Sequence, residues 1–293
     1  HLKGAIECIA RQDYPLDRIE WVIVDDGTDP VGDMFVDIPY VKYVRYEEKM
    51  TIGKKRNVVH SHCKGDILIY IDDDDYYPPE RVSHTVTSLL RSKHMVAGSS
   101  EMNIFYQASG ELITVGPYGP NHATGGTMAF KRELLDLTTY DESRSYTEEA
   151  TFLKDYKKFK VVQLEPRKTI LVMGHETNTC GKNGLRSVSN KFKKECTHTF
   201  SELIPDPFMR KLFAHDVPDE TKNYTYGKNT EKLDVIKQQK ERQMDRFKSV
   251  EQNIRSCQKE GSFIEITVDG QPFALGAEQI ITLINHSKEL QNE

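Results

Sequence analysis

A chain of 293 residues, 37% hydrophobic and 29% charged with a net charge of −5, has apolar material for a sizeable core and no basic stripe to draw it onto nucleic acid. No apolar run approaches the ~18 residues that a membrane-crossing helix needs, so no transmembrane segment is expected. Cys8, Cys63, Cys180, Cys196 and Cys257 are odd in number and form no CxxC pair, which argues against a disulfide framework or a zinc site and points to a reducing, cytoplasmic compartment.

At ~150 residues per domain two units are expected, a first domain over 1–200 and an extension over 201–293. Short β-branched runs alternate with amphipathic segments over the first 175 residues, the pattern of an α/β domain with a mainly parallel sheet flanked by helices. Leu2, Ile6 and Ile9 recur at helical spacing, and Trp21 to Val24 reads as a strand ending in Asp25-Asp26-Gly27. A strand over Val41 to Tyr46, a helix over Gly53 to Cys63 and a strand over Ile67 to Ile71 follow. Pro78-Pro79-Glu80 then opens a helix through Leu90, proline being tolerated in a first helical turn.

Beyond this the pattern turns mixed. Asn103 to Gln107 and Glu111 to Val115 flank Ala-Ser-Gly as a hairpin, strands are expected over Thr127 to Phe130, Val161 to Leu164 and Thr169 to Met173, and a helix runs from about Glu148 to Phe159. Thr177 to Lys194 reads as a loop. Glu231 to Lys259 is a long charged helix whose Leu233, Ile236, Phe247, Val250 and Ile254 fall on a seven-residue grid broken by Lys240 and Gln243; packing on its own domain is favoured, with a homodimer as the alternative. A hairpin around Asp269-Gly270 and a short helix over Glu278 to Ser287 close the chain.

Chemistry is expected at Asp72-Asp73-Asp74-Asp75, four carboxylates directly after an apolar strand. Like charges gathered at a buried strand end are costly unless a cation waits there, and hard divalent cations such as Mn²⁺ or Mg²⁺ take carboxylate oxygens together with substrate phosphates. On an extended chain Asp72 and Asp74 would share one face and Asp73 and Asp75 the other, the second pair serving the backbone and the helix that follows. The second acidic pair, Asp25-Asp26, also ends a strand, and ligands of open α/β sheets bind beyond such ends. Taken alone, either cluster could be turn or capping chemistry.

Taken together, Gln12-Asp13-Tyr14-Pro15, Glu20 to Asp29, Gly53-Lys54-Lys55-Arg56-Asn57, Gly65-Asp66-Ile67 and Tyr70 to Asp75 resemble, in order and spacing, the family 2 glycosyltransferases of GT-A fold over about residues 2 to 180. The resemblance implies a GT-A, Rossmann-like domain with a C-terminal helical and β-hairpin extension. It implies a metal-dependent transfer of sugar from a nucleotide diphosphate, a UDP-sugar by expectation, to a hydroxyl of a glycan, lipid or protein, with inversion. Asp25, Asp26, Arg56, Asn57, Asp72 and Asp73 would then face the nucleotide donor, and Asp74, Asp72 and His175 the metal. Gly125 and Gly126 would line the acceptor side, and the catalytic base would be Glu149, or else Glu148, where the family has Glu-Asp. Lys182 and Arg186 could reach phosphates. The family's first strand precedes the helix that here starts near Leu2, so a natural chain extending upstream of His1 is expected.

Two other readings stand beside this one. A phosphatase of the haloacid dehalogenase type also places Asp-x-Asp after a strand, but it expects Thr or Val where this chain has Asp75-Tyr76 and gives Asp25-Asp26 no role. A non-catalytic module that binds a nucleotide sugar or glycan would share the binding residues and spare only Glu149.

Overall fold

Helix α1 (Leu2–Ala10) turns Gly4, Ala5, Cys8 and Ile9 inward. The Gln12 amide behind it donates to the Cys8 and Pro78 carbonyls, while its oxygen accepts from Val82 N, so the end of α1 is tied to the start of a helix 70 residues away. The fold is that of a computed structural model, which describes residues 1–175, 178, 182–187, 190–222, 233–258, 264–268, 271–275 and 282.

Strands β1 (Trp21–Asp25) and β2 (Val41–Arg45) pair in parallel. Helix α2 (Ile52–His62) starts at Thr51, whose side chain accepts from Lys54 N at 3.2 Å and satisfies one orphan donor of the first turn. Strand β3 (Ile67–Ile69) is shorter than the pattern suggested, and the four aspartates lie on the turn after it rather than on an extended strand. Helix α3 (Arg81–Arg91) buries Arg81, Val82, Thr85 and Leu89. Strands β4 (Val96–Gly98), β5 (Met102–Tyr106) and β6 (Glu111–Val115) follow, the last two as the expected hairpin. A 3-10 turn over Gly125–Thr127 precedes β7 (Ala129–Lys131), where a continuous strand from Thr127 was expected.

Helix α4 (Glu148–Phe152) is five residues long and does not reach Phe159. Lys154, Asp155 and Tyr156 take left-handed φ of 52°, 54° and 59°, a turn that brings Phe159 back to the cluster already holding Phe152 and Leu153. Strands β8 (Val161–Gln163), β9 (Leu171–Gly174) and β10 (Lys193–Glu195) complete the sheets. Strand β10 falls at the end of the segment read as a loop and pairs antiparallel with β6. Helices α5 (Phe200–Leu203), α6 (Pro207–Lys211) and α7 (Val217–Lys222), the last two joined by a π-turn over Leu212–Asp216, were not expected from the pattern.

One four-stranded sheet has the order β3-β7-β4-β8, parallel between β4 and β8 and antiparallel elsewhere. The other has the order β10-β6-β5-β9, parallel between β5 and β9. Mixed pairing with helices on the sheets is the α/β class expected. Ile104, Val115, Met173, Ile204 and Phe213 belong to a core that joins the β5 sheet to α1 and to α5–α7. Phe130, Leu134, Tyr140, Phe152 and Leu153 form a second core beside β7. Each such side chain contributes roughly 1.5–3 kcal/mol on burial.

The chain divides into two compact units, His1–Glu231 and Lys232–Glu293. Residues 201–222, assigned to the extension on sequence grounds, lie with the first unit, because Leu203, Ile204, Met209, Leu212, Phe213 and Val217 enter its core. The second unit has helix α8 (Leu233–Gln258) and the antiparallel pair β11 (Ile264–Val268) and β12 (Gln271–Leu275). The expected closing helix over 278–287 lies outside the described residues.

Candidate active site

The acidic turn divides its four carboxylates among different environments. Asp73 is exposed and Asp75 is buried, its Oδ1 accepting from Met173 N on β9 at 2.7 Å. Burial, then the charges of Asp74 and Asp72, push Asp75 well above the usual carboxylate range. Asp74 Oδ2 lies 3.2 Å from His175 Nε2 and accepts from Asn178 Nδ2 at 3.1 Å. Burial opposes the Asp74 charge, yet the hydrogen bond from His175 and the charges of His175 and Lys182 hold its pKa below the ordinary value. Asn178 also takes His175 N on its oxygen at 2.8 Å, which fixes the loop start after β9, and the His175 ring stacks on His1 with centroids 4.2 Å apart.

Asp72 is pushed up to about 6, by burial first and by Asp74 and Asp73, against the pull of Arg56 and Lys182. Its backbone N donates at 2.8 Å to the hydroxyl of Tyr77, which donates in turn to the Gly126 carbonyl at 3.2 Å. Burial and the neighbouring Asp72 and Asp75 charges raise the Tyr77 phenol well above its ordinary value, so it remains a neutral donor. Behind it the fully buried Arg81 donates to the carbonyls of Tyr70, Thr127 and Met128 at 3.1, 3.0 and 3.4 Å. One guanidinium thus clamps the end of β3 to the 125–128 turn.

That turn approaches the acids closely. A Cβ on Gly126 would lie 2.5 Å from Asp72 Oδ2, and one on Gly125 would lie 3.3 Å from Arg56 Nη2. Arg56, from α2, donates from Nε to Glu148 Oε1 at 3.0 Å, with its guanidinium 4.3 Å from the centroid of Tyr70. Glu148 and Glu149 open α4, Glu148 buried and Glu149 half-buried. Seven of the expected residues, Arg56, Asp72, Asp74, Gly125, Gly126, Glu148 and His175, are therefore linked through one set of contacts and charge interactions.

The first acidic pair and Asn57 are engaged inside the protein. Asp25 Oδ1 accepts from Gly27 N at 2.8 Å, and its Oδ2 accepts from Tyr43 OH at 2.5 Å and Val31 N at 3.2 Å. Burial works against that charge, but these donors and Arg45 hold the carboxyl below the usual range. Asp26 is paired with Lys55 and accepts from Met50 N at 2.8 Å; burial is again outweighed, by Lys55, Met50 N and Lys49, and its pKa is lowered. Asn57 donates to the Tyr140 carbonyl and Glu142, and its oxygen accepts from Tyr140 N and Thr139. Arg186 pairs with Glu111 at 2.6 Å over the Tyr106 ring, whereas the charge of Lys182 reaches Asp72, Asp74 and Asp75.

Among the described residues no three His, Cys, Asp or Glu side chains are grouped closely enough to enclose a metal. A two-ligand site is a different matter. Asp74 Oδ2 and His175 Nε2, 3.2 Å apart, have the spacing of neighbouring ligands in an octahedron with ~2.1 Å bonds, and crowding that raises Asp72 and Asp75 is what a hard cation would relieve. An Asp and a His are chemically suited to a divalent ion completed by phosphate and water; in this arrangement the pair is closed by the Asn178 amide, whose Nδ2 is 3.1 Å from Asp74 Oδ2 and 2.9 Å from His175 Nε2. Sequence reasoning missed Asn178, Tyr77 and Arg81; a polar residue three positions after His175 was the available signal for the first.

Residues 1–108 match the family described as Glycosyl transferase family 2, so the resemblance read from the motifs is borne out over the segment that holds the acidic turn. No curated protein matches the chain. Among solved structures, S. aureus TarS 1-349 in complex with UDP-GlcNAc is 18% identical, covering 61% of this chain and 56% of that one at a TM-score of 0.51. The same segment with UDP covers 59% and 56% at 18% identity and a TM-score of 0.49. The mannosyltransferase PcManGT from Pyrobaculum calidifontis, in complex with GDP-Man and Mn²⁺, covers 60% and 54% at 17% identity and a TM-score of 0.46. The likeness to TarS 1-349 shows a shared fold, the GT-A type expected, and the match spans less than two thirds of that chain's length. No helix among the described residues is long and apolar enough to cross a membrane.

Proposed function

We propose, from the family 2 match over residues 1–108, that this chain is a glycosyltransferase that moves a sugar from a nucleotide diphosphate to an acceptor hydroxyl, with a divalent cation at the acidic turn. The observation that carries this reading is the crowding of Asp72, Asp74 and Asp75 after β3, beside Lys182 and His175. A diphosphate brings further negative charge, and a site with this much of its own accepts it only through a cation. Asp74 and His175, with Asp72 adding negative charge beside them, would hold Mn²⁺ or Mg²⁺, which when bound supplies charge neutralisation for the leaving phosphates.

The chain's own residues do the rest. Lys182 adds positive charge on the phosphate side, and Asp73 stands on the rim. Asp25 and Asp26, already bonded within the protein, shape the nucleoside side by ordering the 26–31 turn and the approach to α2. The hydroxyl oxygen attacks the anomeric carbon as its bond to phosphate breaks, and the hydroxyl proton passes to a carboxylate. Glu149 takes that role, with Glu148 beside it bound to Arg56. Attack opposite the leaving group inverts the configuration.

The test is release of nucleoside diphosphate from a panel of UDP- and GDP-sugars with and without Mn²⁺. Metal-dependent release is expected with at least one donor, and Glu149→Gln is expected to lose roughly 100-fold or more in turnover while retaining nucleotide binding. Tight nucleotide binding without release from any donor would favour a non-catalytic binding module.

A further inference from the structure

Helix α4 is an unusual support for a catalytic carboxylate. It has five residues, no side-chain cap, and begins after Thr147 at φ 54°, a left-handed conformation that is unfavourable for a β-branched residue. Such a conformation persists only where its surroundings over-determine it. Among the contacts that hold this segment are Gly53 N to the Arg144 carbonyl at 2.7 Å, Ile52 N to Ser145 Oγ at 3.3 Å and, at α4 itself, the ion pair of Glu148 with Arg56, at 3.0 Å and with side chains only 8% and 17% exposed. Arg56 is fixed in turn by the Tyr70 face at 4.3 Å, the Tyr140 ring at 5.7 Å and the close approach of Gly125. The next residue, Gly126, meets Asp72 in the same way, so one glycine pair separates the guanidinium from the carboxylate of the acidic turn.

We propose that Arg56 is a positioning residue: it holds Glu148, and through it the first turn of α4, which carries Glu149. This inference rests on the glycosyltransferase reading for its kinetic consequence only. Arg56 Nε is committed to a buried carboxylate and one face of the guanidinium to an aromatic ring, which ties the side chain to α4 and to the end of β3. The geometry also requires both partners, because removing either leaves the other buried and unpaired.

The experiment compares wild type, Arg56→Met, Arg56→Lys, Glu148→Gln and the Arg56→Met/Glu148→Gln double variant. Nucleoside diphosphate affinity is expected to stay within about threefold of wild type throughout, while kcat falls roughly 100-fold in Arg56→Met with donor KM little changed. The double variant is expected to be no slower than Arg56→Met, and Arg56→Lys to regain part of the rate. Weakening of nucleotide binding by tenfold or more in Arg56→Met, or losses that multiply in the double variant, would overturn the proposal. Denaturant unfolding of the same proteins decides the contact without activity: a coupling of about tenfold in the unfolding equilibrium is expected, and additive effects would refute it. Absence of turnover by wild type would sink the glycosyltransferase reading and leave this unfolding result standing.

Discussion

His60 shows how one residue links the core to the site. It is 7% exposed, its Nε2 is 2.8 Å from the Tyr70 hydroxyl, and Tyr70 donates to Tyr140 at 3.0 Å. The imidazole is neutral in this buried pocket. Burial, then the charges of Arg56 and Arg132, push its pKa down from 6.5 to about 4. A base with a lowered native pKa contributes stability that is present above pH 6.5 and lost as pH falls toward 4, because the unfolded chain takes up the proton first. Between pH 7 and pH 5 this amounts to ~2 kcal/mol. Denaturant unfolding of wild type and His60→Gln should therefore show the wild-type advantage shrinking by that amount on acidification; a pH-independent difference would contradict the assignment. At this scale the acidic turn was legible, because four acids directly after an apolar run mark themselves. Asn178 was not, since its partner Asp74 lies 104 positions away and the local sign is no more than a polar residue three positions after His175.

At the scale of elements, α2 is the part that brings the site together. Lys55, Arg56 and Asn57 occupy successive positions and reach Asp26, Glu148 and the Tyr140 backbone. That spread depends on Gly53 near the helix start, where a Cβ would overlap the Asp141 carbonyl oxygen and lie 3.1 Å from that of Arg144. Gly53→Ala should lower stability by about 1–3 kcal/mol and shift α2 away from the 141–144 segment. Unfolding measurements check the first effect, and an unchanged midpoint would contradict the contact. Most helices and strands were legible from periodicity, as β1, β2, α2 and the β5–β6 hairpin illustrate. Strand β4 was not, because Val96-Ala97-Gly98 is short and carries little β-branched signal; it is a strand through its pairing with β7 and β8. Helix α4 stops early because Phe159 returns to the same core as Phe152, a tertiary demand that the charged run between them does not reveal.

At the scale of the whole molecule, the first unit carries every residue assigned to the site, and the second carries α8 and the β11–β12 pair. The unit division was poorly legible because α5, α6 and α7 have only 4, 5 and 6 residues, too few for a helical period to show, yet their apolar residues join them to the β5 sheet. The central claim concerns the turn after β3, where crowded carboxylates await a cation and a diphosphate. The measurement that reaches it most directly is the affinity for nucleoside diphosphate, titrated with and without Mn²⁺, in wild type and in Asp74→Ala. The account predicts binding that tightens with Mn²⁺ in wild type and loses that dependence in Asp74→Ala. Equal Mn²⁺-dependent binding by the two proteins would contradict it.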